Sequence, residues 1–144
     1  MKKFLLTIIA TILMAGSISA QNVARKCVLV EAFTGINCGY CPAAAGGIGE
    51  MVRQGLSVAP LAFHCDYYTP DDKDYSTSET ESRGSSFYKV RSYPTVIIDG
   101  VSSPAVGGTA SQYMSSYTKL KAEYDKRINV ESPFELELTF EYDS

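Results

Sequence analysis

An apolar run, Val28-Leu29-Val30-Glu31-Ala32-Phe33, leads within a few residues to Cys38-Gly39-Tyr40-Cys41. A nearly continuous apolar run suits a central strand covered on both faces. Two thiols at this spacing can close a small disulfide ring and reopen it. At the end of a buried strand and the start of a helix they meet free N–H groups and a positive dipole end, both of which favour a thiolate. The thiolate is the species that attacks disulfides. On this reading Cys38 attacks and Cys41, one turn into the helix and less exposed, resolves. Two other uses stay open, a static disulfide and half of a metal site. Zinc wants four ligands, usually from two such pairs. Only Cys27, His64 and Cys65 remain, and none forms a second CxxC. A c-type haem needs His after the second Cys, where this chain has Pro42. We therefore expect a redox pair, with no metal and no bound cofactor.

Residues 1–20 read as a leader rather than as part of the fold. Lys2 and Lys3 precede an apolar stretch from Phe4 to Ala15, and Ala15-Gly16-Ser17-Ile18-Ser19-Ala20 is a small-residue exit with cleavage expected after Ala20. This is the pattern of a secretory signal peptide, and the stretch is short for a membrane span. Losing Lys2 and Lys3 takes the formal net charge from −3 to −5. That balance gives no reason to expect nucleic acid or attraction to an anionic membrane. An exported chain meets surroundings in which disulfides are allowed. Four Cys are too few for a disulfide scaffold in a domain of this size, so a hydrophobic core must hold it.

Along the remainder, Lys26–Phe33 and Val58–Cys65 read as strands, and Thr95–Asp99 as a third closed by Gly100. Pro42–Gln54 is a helix, with Ile48, Val52 and Leu56 at four-residue spacing and Gly55 to close it. Gly46, Gly47 and Gly49 weaken it by roughly 1 kcal/mol each against Ala, a cost that suggests close packing on another backbone. The acidic stretch 66–86 reads as a polar surface insertion, either a solvated loop, the favoured reading, or one with a little helix of its own, and Phe87–Arg91 as a short helix. Thr109-Ala110-Ser111-Gln112 has capping-box form, and Tyr113, Tyr117, Leu120 and Tyr124 then mark one apolar helix face. From Phe134 to Asp143 apolar and polar residues alternate with period two, a strand pattern. We expect residues 128–144 to be a β-strand tail behind a unit spanning 21–127; it either packs on that unit or, the favoured reading, opens a further, truncated β domain.

The order strand, CxxC, helix, strand, helix, X-Pro, strand, helix resembles that of thioredoxin-like proteins over roughly residues 26–127. The likeness rests on Val28–Phe33 with Cys38–Cys41, on Tyr88 through Tyr93-Pro94-Thr95 to Gly100, and on Val106-Gly107-Gly108 before the last helix. Val28–Pro42 is further similar to the V-L-x-E-x-F-T-G-x-x-C-G-x-C-P stretch of secreted or outer-membrane-associated thioredoxin-like proteins of Gram-negative bacteria, which carry a β domain after the thioredoxin unit. The dipeptide Gly39-Tyr40 resembles that of periplasmic disulfide isomerases. This chain departs from the pattern at Asn37, where a Trp is usual. Its strand acid Glu31 stands seven residues before Cys38 rather than six.

The resemblance implies an α/β thioredoxin-like fold, a central mixed sheet flanked by helices. It implies that Pro94 is cis, faces the CxxC and presents the Tyr93 backbone to an extended substrate segment, beside Gly39 and Tyr40. For Glu31 two readings stand: a buried acid that shuttles the proton of Cys41, or a strand-end residue facing solvent. Cys65 and His64 end their strand at the edge expected to carry the CxxC. They are candidate auxiliary groups, although a small buried apolar residue and a locally partnered histidine describe them better. A Cys27–Cys65 bridge is geometrically poor, since the two lie at opposite ends of neighbouring strands. The expected function is exported thiol–disulfide exchange on protein substrates, served by a redox partner protein in the periplasm or at the outer membrane. The competing class is a non-enzymatic envelope binding or assembly module on the same fold.

Overall fold

The computed structural model describes residues 22–65 and 73–135, together with 137, 139 and 141. The leader at 1–20, the acidic stretch 66–72 and the alternating apolar positions Leu136, Leu138, Phe140 and Tyr142 lie outside the described residues. Two compact units divide the chain. Ala24–Glu131 forms one, and the other combines Met1–Val23 with Ser132–Ser144. Within the latter, Val23 and Ser132 pair antiparallel through backbone bonds of 2.9 and 2.8 Å.

The larger unit is built on strand β1 (Val28–Thr34), which lies between β2 (Val58–His64) and β3 (Thr95–Ile98). β1 runs parallel to β2 in the register Val28↔Val58 to Thr34↔His64, and antiparallel to β3 in the register Val30↔Ile98 to Phe33↔Thr95. The sheet is therefore mixed, and the apolar run is its centre. Side chains alternate across a pleat. Val28 and Val30 accordingly point to one core, with Ala44, Ile48, Met51, Val96, Ile98, Leu120 and Tyr124, while Phe33 points to another with Cys65 and Ile97.

The first core is roofed by two helices, α1 (Cys41–Arg53) and a later one at Tyr113–Arg127. Pro42 suits the first turn of α1, where no intrahelical N–H donor is needed. At the other end Gly55, with φ +70°, donates to Val52 O while Leu56 donates to Met51 O, a Schellman closure. The glycines of α1 do mark close packing, at two positions of three. A Cβ on Gly46 would lie 2.7 Å from Tyr113 Cβ, and one on Gly47 would lie 2.8 Å from the Tyr117 backbone nitrogen. Gly49 meets only the tip of Arg53.

The second face differs from its sequence reading. The stretch expected as a solvated loop is helical from Ser78. Helix α2 (Ser78–Glu81) runs into a wider π-type turn over Ser82–Phe87. Thr77 and Thr80 cap it reciprocally, each side chain accepting from the other's backbone N–H at 3.2 and 2.9 Å. A Thr in place of the usual Glu or Gln hides this box from pattern reading. The short helix expected at Phe87–Arg91 thus ends where it was to begin, because Lys89 turns left-handed at φ +57°. Gly84 is buried, and a Cβ there would sit 3.2 Å from the Phe33 ring.

Helix α3 (Tyr113–Arg127) follows a short 3-10 turn, Ala110–Gln112, in which Gln112 Oε1 accepts from the Thr109 N–H at 2.9 Å. Ser116, Leu120 and Tyr124 are its buried residues; of the tyrosine stripe, Tyr124 is core, Tyr117 packs against that core and Tyr113 is half-buried. Far from the CxxC, Asp99 closes β3 with φ +55° and accepts from Arg25 at 2.7 Å and from Arg127 at 2.8 Å. These pairs tie the chain before β1 and the end of α3 to one carboxylate.

Candidate active site

Cys38 and Cys41 form a disulfide, with sulfurs 2.00 Å and Cα atoms 5.4 Å apart. Cys41 is the first residue of α1 and is 7% exposed, while Cys38 sits in the preceding turn and is half-buried. That turn is held by Cys38 N–H to Gly35 O at 3.3 Å and Cys41 N–H to Cys38 O at 3.2 Å. No acidic side chain occupies the first turn of α1, so its positive end is not neutralised from within the helix. Tyr40 and Ile36 flank the pair as exposed apolar groups, at 70% and 44%. A Cβ on Gly39 would meet nothing within 4 Å, leaving that side of the ring open.

The Tyr93–Pro94 peptide is cis. Pro94 and Cys41 line one groove of about 220 Å³, whose other walls include Ala32, Ile48, Pro60 and Leu61. Between the proline and the CxxC runs the backbone of Gly107 and Gly108, with φ +125° and +133°. Gly108 N–H donates to Tyr40 O at 2.8 Å, and Gly108 O accepts from Ala43 N–H at 3.2 Å. A Cβ on Gly107 would lie 2.9 Å from Pro94 Cγ and 3.3 Å from Tyr40 O, so only glycine lets the strands of this site approach so closely. The sequence marks this dipeptide only as a lead-in to the last helix. Its contact with Pro94 exists only once the chain has folded. Tyr93, expected to serve substrate through its backbone, packs its side chain against the Phe33, Cys65 and Ile97 cluster.

Of the two expectations for Glu31, the solvent-facing one needs correcting, since the residue is fully buried. The pleat sends it to the face away from α1, where Arg83 Nε donates to Oε1 and the Tyr88 hydroxyl donates to Oε2 at 2.6 Å. The Glu31 bond keeps the Arg83 guanidinium protonated above its usual range. Burial first, and then the Glu31 bond, raise the Tyr88 hydroxyl above the usual tyrosine range. Arg83 also lies over the rings of Phe87 and Tyr88, at 5.3 and 5.2 Å. Neither Arg83 nor Tyr88 carries a sequence signal for this role, since the pairing joins positions 52 and 57 residues from Glu31.

Cys65 is buried on that same second face, its thiol directed at Phe63 O and Thr80 O at 3.8 and 3.9 Å. It behaves as a small core residue there, and the auxiliary role beside the CxxC is not what its surroundings favour. His64 stacks obliquely near Tyr75, and its Nδ1 is buried without a hydrogen-bond partner among the described residues. Cys27 is exposed ahead of β1, and neither it nor Cys65 is in a disulfide.

No family model and no curated relative matches the chain. Among solved structures it is similar to a structural-genomics protein from Agrobacterium tumefaciens, at 22% identity and a TM-score of 0.48, over 74% of this chain and 48% of that one. It therefore spans about half the length of that protein. It is also similar to glutaredoxin 1 from Francisella tularensis, solved with cacodylate, at 21% identity and a TM-score of 0.34, over 72% of this chain and 99% of that one. Its own geometry carries the conclusion. A parallel β1–α1–β2 unit with the CxxC disulfide at the helix start, and an antiparallel β3 entered through cis-Pro94, make this an α/β chain of thioredoxin-like fold.

Proposed function

We propose that this chain is an exported thiol–disulfide oxidoreductase acting on protein disulfides. The observation that carries the proposal is the placement of the Cys38–Cys41 disulfide at the first turn of α1, sharing a groove with cis-Pro94. In the reduced form the Cys38 thiolate attacks one sulfur of a substrate disulfide, and the other leaves as a thiolate. Cys41, once deprotonated, attacks the Cys38 sulfur of the mixed disulfide and expels the second substrate thiolate. Two electrons pass to the substrate, and the Cys38–Cys41 disulfide forms. A dithiol partner protein returns it to the reduced state by the same exchange in reverse. Isomerisation uses the first attack alone, with a substrate thiol in place of Cys41 releasing the enzyme. No bound cofactor enters either route.

The leader pattern at residues 1–20 supports export, and the likeness of Val28–Pro42 to envelope proteins supports a periplasmic or outer-membrane-associated site of action. The test is reduction of insulin disulfides in the presence of a thiol donor. The protein should accelerate it, and Cys38→Ala should bring the rate back to the uncatalysed one. Absence of thiol-dependent turnover, with the pair inert to alkylation after mild reduction, would overturn the reading.

A further inference from the structure

Ser116 is a polar side chain with only 1% of its surface exposed, on the face of α3 that packs against α1. A Cβ on Gly47 would stand 2.9 Å from Ser116 Cβ, so α1 and α3 are in close contact here. Alanine would fit, yet the position holds a hydroxyl. A buried hydroxyl costs free energy unless it is bonded. Its Oγ accepts the Gly107 N–H at 3.2 Å. Gly107 is the residue whose backbone lies against the Pro94 ring and the Tyr40 carbonyl, and the next residue bonds that carbonyl directly.

From these contacts we infer that Ser116 is a positioning residue for the redox site, fixing through Gly107 the separation between cis-Pro94 and the CxxC. The inference deepens the oxidoreductase reading and rests on it. Helix α3 contributes no group to the thiol chemistry. It sets the height of the Gly107–Gly108 backbone, on which the Pro94 loop and the first turn of α1 both rest. A protein substrate engages both walls, whereas a small dialkyl disulfide needs only the Cys38 sulfur. Loss of the Ser116 hydroxyl therefore separates the two substrates.

The test compares wild type with Ser116→Ala on insulin and on hydroxyethyl disulfide. The variant should raise KM for insulin about threefold to tenfold, the scale of one neutral hydrogen bond. Its kcat on insulin and its kcat/KM on the small disulfide should stay unchanged. Unaltered KM for insulin, or an equal fall on both substrates, would overturn the inference. Wild type inactive on both substrates would overturn the oxidoreductase reading, and this inference with it. Should Ser116→Ala fail to fold, amide hydrogen exchange at Gly107 in the wild type decides the matter. Protection well beyond that of exposed loop amides supports the bond, and exchange at the unprotected rate overturns it.

Discussion

The two faces of the sheet solve different problems with the same central strand. Toward α1 and α3, β1 presents Val28 and Val30 to an apolar core that positions a disulfide at its rim. Toward the helical segment 78–87, the same strand presents Phe33 and a fully buried carboxylate, Glu31, met by Arg83 and Tyr88. The first face is held by area removed from water, which needs no partner and tolerates small shifts. The second combines an aromatic cluster around Phe33 with one buried charge that cannot be left alone. The contrast teaches that the acid on the central strand anchors a surface segment through Arg83 and Tyr88.

The largest effect should come from the aliphatic face. Leu120→Ala removes a fully buried side chain beneath α1 and should cost about 2–5 kcal/mol in chemical denaturation. A loss below 1 kcal/mol would mean that α3 is not integral to this core. Next comes Arg83→Ala, which strands the Glu31 charge. A fully buried pair broken this way loses about 3–5 kcal/mol, and the 38% exposure of the Arg83 side chain should reduce that to about 2 kcal/mol. Glu31→Gln should leave the pH profile of insulin reduction where it is in the wild type. Slower turnover near neutral pH in that variant would return Glu31 to the thiol chemistry and dissolve the contrast between the faces.

The smallest effect concerns Tyr88. Tyr88→Phe removes the bond to Glu31 and should cost about 1 kcal/mol near neutral pH. The hydroxyl keeps its proton above the usual tyrosine range when folded. A pKa raised by folding contributes stability that is complete below the unfolded value, about 10, and is lost as pH rises through the higher folded value. The stability gap between wild type and Tyr88→Phe should therefore close on going above about pH 10. A gap that stays constant through that range would show that the Tyr88 proton is not part of the network.

Local pattern made much of this molecule legible. The strand at Val28–Thr34, the helix begun at Cys41 with Pro42 and closed by Gly55, and the apolar face of α3 all follow from periodicity and capping chemistry within about fifteen residues. The helical segment from Ser78 is the less favoured of two readings of that stretch. Its polar composition matches a loop, and docking of Gly84 against Phe33 and of Arg83 against Glu31 joins it to the sheet. The glycines of α1 show the intermediate case. Their cost is visible in sequence, while the helix that makes them necessary lies more than sixty residues away.

The sequence by itself determined the chemistry available, two thiols at the start of a helix behind a buried strand, because that depends on spacing along the chain. Tertiary structure alone decided what surrounds them. The pleat assigns Glu31 to the far face, and the α1–α3 crossing places Ser116 under Gly107. Close approach of glycine backbone then brings Tyr40 and Pro94 to the same site. Each of these contacts joins residues distant in sequence, and no local pattern specifies which side of a sheet will receive its partner.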